Sequence, residues 1–324
     1  RCLTFIGFAV SSKRLRRMNK HGIWRNIKLK YALFAGCVSR GGCPELYPAT
    51  LKVCQKLGFF LDELHERGAT CTGAGVLQEK NQFLGDVFNA RTFAIAESIG
   101  LNIMTICSTC QGVMSQANKR LKENPEYLAK VNGYLADEGL EYKGTAQPKH
   151  LLWILIEDVG IEKLKTYVTQ PLTNLRVAPF YGCYIIRPSD ALEFKLHPER
   201  EDSLERVMEA LGADVVDFPG KTRCCGFPIL TINEKNSVSM VAKHTSEVKD
   251  LGADAMVTPC PLCHLNLDGY QPKAMQQSQQ NINMPILHLP QLLGLAMGFD
   301  PKELGLSRHI ISAKKVLSKV GVPT

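Results

Sequence analysis

The chain repeats one arrangement of cysteines, and this repetition limits its fold more than any other feature. An apolar run ends in Gly36-Cys37 in the first half and in Gly182-Cys183 in the second. Cys71-Thr72-Gly73 is answered by Cys224-Cys225-Gly226, and Cys107-Ser108-Thr109-Cys110 by Cys260-Pro261-Leu262-Cys263. A fourth echo, His150-Leu151-Leu152 and His288-Leu289-Pro290, opens an apolar segment near the end of each half. The offset is 146 residues at the first cysteine and 153 at the next two landmarks. Four landmarks in one order mean two copies of one unit.

The same local pattern surrounds the landmarks in both copies. A short apolar strand delivers Gly-Cys, and a helix follows over Pro48–Leu57 or Leu204–Leu211, closed by Gly58 or Gly212. A second strand, Phe59–Leu64 or Asp214–Phe218, leads to the Cys-x-Gly loop. A longer helix, Asn81–Ile99 or Glu234–Leu251, ends at a glycine. A third strand, Asn102–Ile106 or Ala255–Thr258, runs into Cys-x-x-Cys at the start of another helix. This alternation predicts an α/β fold: two tandem copies of a parallel-sheet domain. In a parallel sheet the carboxyl ends of the strands share one edge, so the three cysteine groups are expected to converge there. The expected division is a basic tail over 1–30, a first cysteine-rich domain over 31–170 and a second over 171–324. The boundary falls within 143–176, where Gly144, Pro148 and Pro171 interrupt the pattern.

Charge narrows the function. The net charge of +8 suggests a nucleic-acid partner, but nine of the 39 basic residues lie in the first 30 positions, with no acidic residue among them. The remainder holds 30 basic against 31 acidic residues, so no nucleic-acid partner is expected. The tail reads as a leader, an over-extended start or an arm touching a membrane or partner. Its apolar stretch Leu3–Val10 precedes the basic cluster, the reverse of a secretory signal, which argues against export. No apolar run approaches the roughly 18 residues that span a bilayer.

Twelve cysteines in such a chain point to metal binding or redox chemistry rather than disulfides. The second half offers five thiolates: Cys183, Cys224, Cys225, Cys260 and Cys263. Five exceed the needs of a closed tetrahedral zinc, and adjacent cysteines suit a multinuclear cluster whose irons lie apart. The first half offers Cys37, Cys71, Cys107 and Cys110. Its fifth position is Thr72, whose hydroxyl is a poor ligand for soft metals, so this set suits a cubane cluster or a structural zinc. Cys43 is a candidate replacement thiolate, Cys54 reads as a core cysteine, and Cys2 has no expected role. His264 follows Cys263 and either tunes the site, donates a proton or packs; His150 and His288, at equivalent places, read as structural. Gly73-Ala74-Gly75 lacks a dinucleotide fingerprint, and no phosphate loop or nucleophile elbow is present. Electrons must then come from a partner.

A single cysteine, then Cys-Cys-Gly, then Cys-x-x-Cys, given twice, resembles the cysteine-rich CCG domain of the heterodisulfide reductase B-subunit family. The resemblance spans residues 31–299. It implies a noncubane [4Fe-4S] cluster on Cys183, Cys224, Cys225, Cys260 and Cys263, at which disulfide cleavage takes place. Thr72 departs from the pattern, so Cys37, Cys71, Cys107 and Cys110 are left with a second [4Fe-4S] cluster or zinc. The family implies an oxidoreductase subunit that is active only with flavoprotein and ferredoxin-like iron–sulfur partners. A disulfide, persulfide or quinone is the expected acceptor, and the expected location is the cytoplasm. Relatives include the E-subunit of a non-typical succinate dehydrogenase or fumarate reductase, which replaces the usual membrane anchor. That alternative requires peripheral attachment at the inner membrane face, with Leu151–Ile156 and Pro290–Phe299 as candidate contacts against a competing reading as buried core. A zinc-stabilised scaffold without redox activity is the third reading.

Overall fold

A computed structural model describes residues 29–321, in which two parallel four-stranded sheets stand side by side. The first contains β1 (Leu29–Phe34), β2 (Phe59–Glu63), β3 (Asn102–Thr105) and β4 (Pro148–His150), in the order β2-β1-β3-β4. The second contains β5 (Arg176–Pro179), β6 (Asp214–Val215), β7 (Ala255–Thr258) and β8 (Ile286–His288), in the order β6-β5-β7-β8. Every pairing is parallel, with Phe34 opposite Thr105 and Pro179 opposite Val257. One strand order used twice is the duplication seen in three dimensions.

The structure adds a fourth strand to each sheet. The two histidine echoes close β4 and β8, three-residue strands too short to leave a periodic signal in the sequence. Strand β6 is also shorter than the expected Asp214–Phe218. Leu29 and Lys30, assigned above to the tail, are the first two positions of β1, while Cys2 and the rest of the tail lie outside the described residues.

Both faces of each sheet are covered, and the cores are shared between the halves. Along β1 and the residue that follows it, Tyr31, Leu33 and Ala35 join one buried cluster while Ala32 and Phe34 join the other, as a period of two dictates. Val177, Ala255 and Val257 share the first cluster; Ala178 and Met256 share the second. Near-continuous apolar strands are what such double covering requires. Leu151–Ile156 is buried within the first cluster and residues 290–297 are buried as well, so both segments are core up to Met297, while Gly298 is exposed and Phe299 half-buried; Cys54 packs in the first cluster as a core residue. Among the described residues no helix is long and apolar enough to cross a membrane.

The helices begin and end where local chemistry tells them to. Asn81 and Asn233 cap the equivalent helices Gln82–Ser98 and Glu234–Asp250, each side chain accepting from a backbone N–H at 3.0 Å. Each cap contributes about 1 kcal/mol. Gly58 and Gly212 follow their helices with φ of 77° and 84°, the left-handed stop expected from sequence.

Candidate metal centres

Parallel pairing brings the strand ends together, and the order β2-β1-β3-β4 opens a crevice between β1 and β3, where the chain leaves in opposite directions. Cys37 leaves β1 on one side of this crevice. Cys107 leaves β3 on the other and is the N-cap of the helix Ser108–Glu123, with Cys110 in its first turn. The second half repeats this with Cys183, and with Cys260 as N-cap of Pro261–Gly269 and Cys263 in its first turn. Backbone N–H groups at a helix start favour thiolate there.

The sulfurs form one row that crosses between the halves. Cys183 lies against Cys224, Cys224 against Cys225, Cys225 against Cys263 and Cys263 against Cys260. Cys260 of the second half meets Cys107 of the first, which meets Cys110. Thr109 seals this junction with its hydroxyl 3.6 Å from the Cys260 Sγ. Cys37 and Cys71 pair separately, with their sulfurs 3.8 Å apart. Cys107, Cys110, Cys225, Cys260 and Cys263 are buried, Cys183 and Cys224 partly so, and Cys37 and Cys71 are exposed. The row is buried from Cys225 through to Cys110, and only its other end, Cys183 and Cys224, is partly exposed.

Thr72 occupies the place that the repeat predicts. Its hydroxyl is 3.8 Å from the Cys110 sulfur, just as Cys225 lies against Cys263 in the other half. The second half therefore assembles five thiols and the first four.

The thiols set one another's protonation. The Cys224 thiol is held well below its ordinary range, chiefly by the neighbouring Cys183, then by Cys225 and the Gly226 N–H. Burial opposes ionisation of Cys260, but hydrogen bonds from Cys107 and Cys263 outweigh it and hold the thiol low. Cys183, Cys225, Cys263 and Cys107 are pushed up in turn, each chiefly by a hydrogen bond to another cysteine. Cys37 rises to about 11 through burial and then Cys71. A crowd of thiols cannot ionise together without a cation among them. A metal cluster is the compensating charge that this donor set fits. The N–H groups of Gly226 and Phe227 point at the sulfurs of Cys224 and Cys225, at 3.4 and 3.5 Å, a further sign of sites prepared for thiolate.

Glycine is needed where the two Gly-Cys landmarks back onto the last thiol of their own half. Gly182 has φ of +72°, and a Cβ there would lie 2.7 Å from the Cys263 Sγ; at Gly36, with φ of +79°, the distance to Cys110 is 3.4 Å. Gly182→Ala is therefore expected to displace the Cys263 thiol and lower retained iron several-fold, and Gly36→Ala to act more mildly. Iron assays on the two variants purified side by side would check this. Equal retention in both would mean that the close approach at Gly182 does not matter.

The other candidate side chains lie around the row. His150 donates from Nε2 to the Pro259 carbonyl at 3.0 Å and accepts the Leu152 N–H at Nδ1. Burial holds it down to about 4, a neutral ring joining β4 to the second Cys-x-x-Cys loop. Cys43, the candidate replacement ligand, lies instead against the Pro261 carbonyl and His264 Nδ1, at 3.5 and 3.8 Å. It stands with Glu45, His264 and His288 in a buried group, with His309 packed edge-on to His264. Sequence reasoning passed over Glu45 and His309. The spacing Cys43-x-Glu45 was visible, but its partners lie in the other half. A cavity of about 730 Å³, lined by residues including Phe299, Asp300, Lys314 and His309, contains none of the cysteines.

The CCG family, described as a cysteine-rich domain, matches residues 31–115 and 177–268. The chain is 37% identical over 287 residues to the 8-methylmenaquinol:fumarate reductase membrane anchor subunit of Wolinella succinogenes, covering 89% of this chain and 99% of the relative. It is 35% identical over 294 residues to the B-subunit of the ferredoxin/F(420)H(2)-dependent CoB-CoM heterodisulfide reductase of Methanosarcina acetivorans, covering 90% and 97%. A hypothetical protein from Helicobacter pylori shares the fold, with a TM-score of 0.70 at 20% identity over 89% of this chain and 53% of that one. Two copies of one cysteine-bearing sheet, matched by one family model at both places, leave a single assignment: the chain belongs to the CCG cysteine-rich domain family, alongside the heterodisulfide reductase B-subunits.

Proposed function

We propose that this chain is an iron–sulfur electron-transfer subunit of the disulfide-reductase type, an oxidoreductase subunit working inside a multi-subunit redox complex. The observation that carries the reading is the thiol row, buried at the junction of the halves and partly exposed at Cys183 and Cys224. Cys183, Cys224, Cys225, Cys260 and Cys263 would hold a noncubane [4Fe-4S] cluster. Cys37, Cys71, Cys107 and Cys110 would hold a second centre, either [4Fe-4S] or zinc. The domains would be the units 31–170 and 171–324. When bound, a cluster supplies one-electron chemistry and iron that accepts a substrate sulfur. The chain's own residues orient the thiols, exclude water at the junction and leave Cys183 and Cys224 approachable. His244 fixes the Cys224 carbonyl at 3.0 Å. Electrons would arrive from flavoprotein and ferredoxin-like iron–sulfur subunits and pass to a disulfide, persulfide or quinone, in the cytoplasm.

A second reading rests on the Wolinella relative, whose name is that of a membrane anchor subunit. This chain would then attach a fumarate reductase or succinate dehydrogenase peripherally to the inner membrane face and exchange electrons with quinone. Recovery on membranes together with a flavoprotein that oxidises succinate would select it.

The first test is anaerobic purification followed by iron, sulfide and zinc assays of wild type and Thr72→Cys. About four iron per wild-type chain and about eight in the variant are expected, because the added thiol completes a five-cysteine set. About eight in wild type would mean that four thiols suffice in the first half. Wild-type protein free of iron and sulfide would end the electron-transfer reading.

A further inference from the structure

We propose that the cavity beside the helix Lys314–Lys319 is a binding site for the ring of a quinone, with His309 as its inner hydrogen-bond donor. A quinone is among the acceptors of the proposed function, and the assignment of this site rests on that reading. The cavity holds about 730 Å³ and includes none of the cysteines. Small-molecule sites ordinarily measure roughly 300–1,000 Å³ and are walled mainly by apolar side chains. Here Leu306, Ala313 and Leu317 are buried in the wall and Phe299 is half-buried, while Lys302, Ser307 and Lys314 are exposed at the rim.

His309 is the buried polar side chain of this wall, and its hydrogen bonding is incomplete. The neighbouring Gln291 amide is fixed from both ends. Its Oε1 accepts the His288 N–H at 2.9 Å, and its Nε2 donates to the Leu304 carbonyl at 3.0 Å. The amide nitrogen therefore faces His309 Nε2, also at 3.0 Å, and that ring nitrogen accepts. Burial, and then His288, holds the His309 ring down to about 3, so it is neutral and carries its one proton on Nδ1. This Nδ1 is buried and has no partner among the described residues. A buried donor without an acceptor is costly, and a ligand that brings an acceptor recovers that cost.

The acceptor that suits His309 is a neutral one. A carboxylate placed there would be a buried charge against an uncharged ring and an apolar wall. A quinone carbonyl accepts without bringing a charge, and the flat ring behind it suits the apolar wall. Its second carbonyl can accept from Lys302 or Lys314 at the rim, neither of which has an ion-pair partner among the described residues. Position favours a redox ligand as well. His309 meets His264 edge-on with 4.7 Å between ring centroids, and His264 directly follows Cys263. Two imidazoles in contact thus join the wall of the cavity to the second-half thiols.

The test is equilibrium dialysis of the full chain, purified anaerobically, against dimethylnaphthoquinone, whose methyl groups block both ring carbons that thiols attack. Iron is assayed on the same samples. Wild type is expected to bind about one probe per chain, saturably. His309→Phe keeps a ring in place but removes the donor, and should weaken binding about tenfold. Ser307→Trp fills the mouth from an exposed position, should weaken binding about tenfold or more, and decides the matter where His309→Phe fails to fold. Iron should be unchanged in both variants. Iron-loaded wild type without saturable binding would overturn the site, as would wild-type affinity in Ser307→Trp. Binding abolished by Cys225→Ser would place the probe at the thiol row and overturn it too. The iron assay reads the proposed function separately, so an iron-loaded chain that binds no probe leaves that function standing.

Discussion

Cys225→Ser should strip the second half of its cluster and leave the fold in place. Cys225 is 3% exposed and stands mid-row, between Cys224 and Cys263. Serine matches its size, but a hydroxyl is a poor donor to iron. The loop keeps its ties: the Cys225 carbonyl accepts from Asn266 Nδ2 at 2.7 Å, and a serine hydroxyl can accept the Phe227 N–H that points at the thiol. Iron and acid-labile sulfide should fall by about four each per chain, with the visible absorption of the cluster. Far-ultraviolet circular dichroism should be unchanged. Full iron with an unaltered spectrum would show that Cys225 is not a ligand.

Trp153→Ala is expected to destabilise the protein by about 3–5 kcal/mol, the usual loss for a buried aromatic cut to alanine. Trp153 is 1% exposed in the cluster shared by the halves. It meets Phe194 edge-on at 6.2 Å between centroids, and the Arg200 guanidinium sits 4.2 Å over its ring. Arg200 is itself buried and pairs with Glu157 at 2.6 Å. Removing the ring opens a cavity and takes away one face of the guanidinium's packing. The loss is a large share of the 5–15 kcal/mol that ordinarily separates folded from unfolded chains. Urea titration of the variant checks it. A change below about 1 kcal/mol would show that the contact between the halves tolerates the gap.

Much of the fold was legible because its signals are local. A strand that ends in Gly-Cys, a helix that stops at Gly58 or Gly212 and a Cys-x-x-Cys at a helix start each involve residues close in sequence. Strands β4 and β8 were not legible as strands, since three residues give no period. The histidines that end them were visible as echoes, but what they do depends on the opposite half: His150 on the Pro259 carbonyl, His288 on Glu45.

The sequence by itself determined the duplication, the α/β class, the nine repeated cysteines and the missing tenth at Thr72. A repeated order of residues needs no coordinates to be seen, and parallel strands must present their ends along one edge. Only the tertiary structure decided how the two copies meet. Nothing in the sequence places Cys107 against Cys260, or Cys43 against a histidine 221 positions away. Those contacts follow from two sheets burying their apolar faces in shared cores, a packing choice that periodicity within either half does not record.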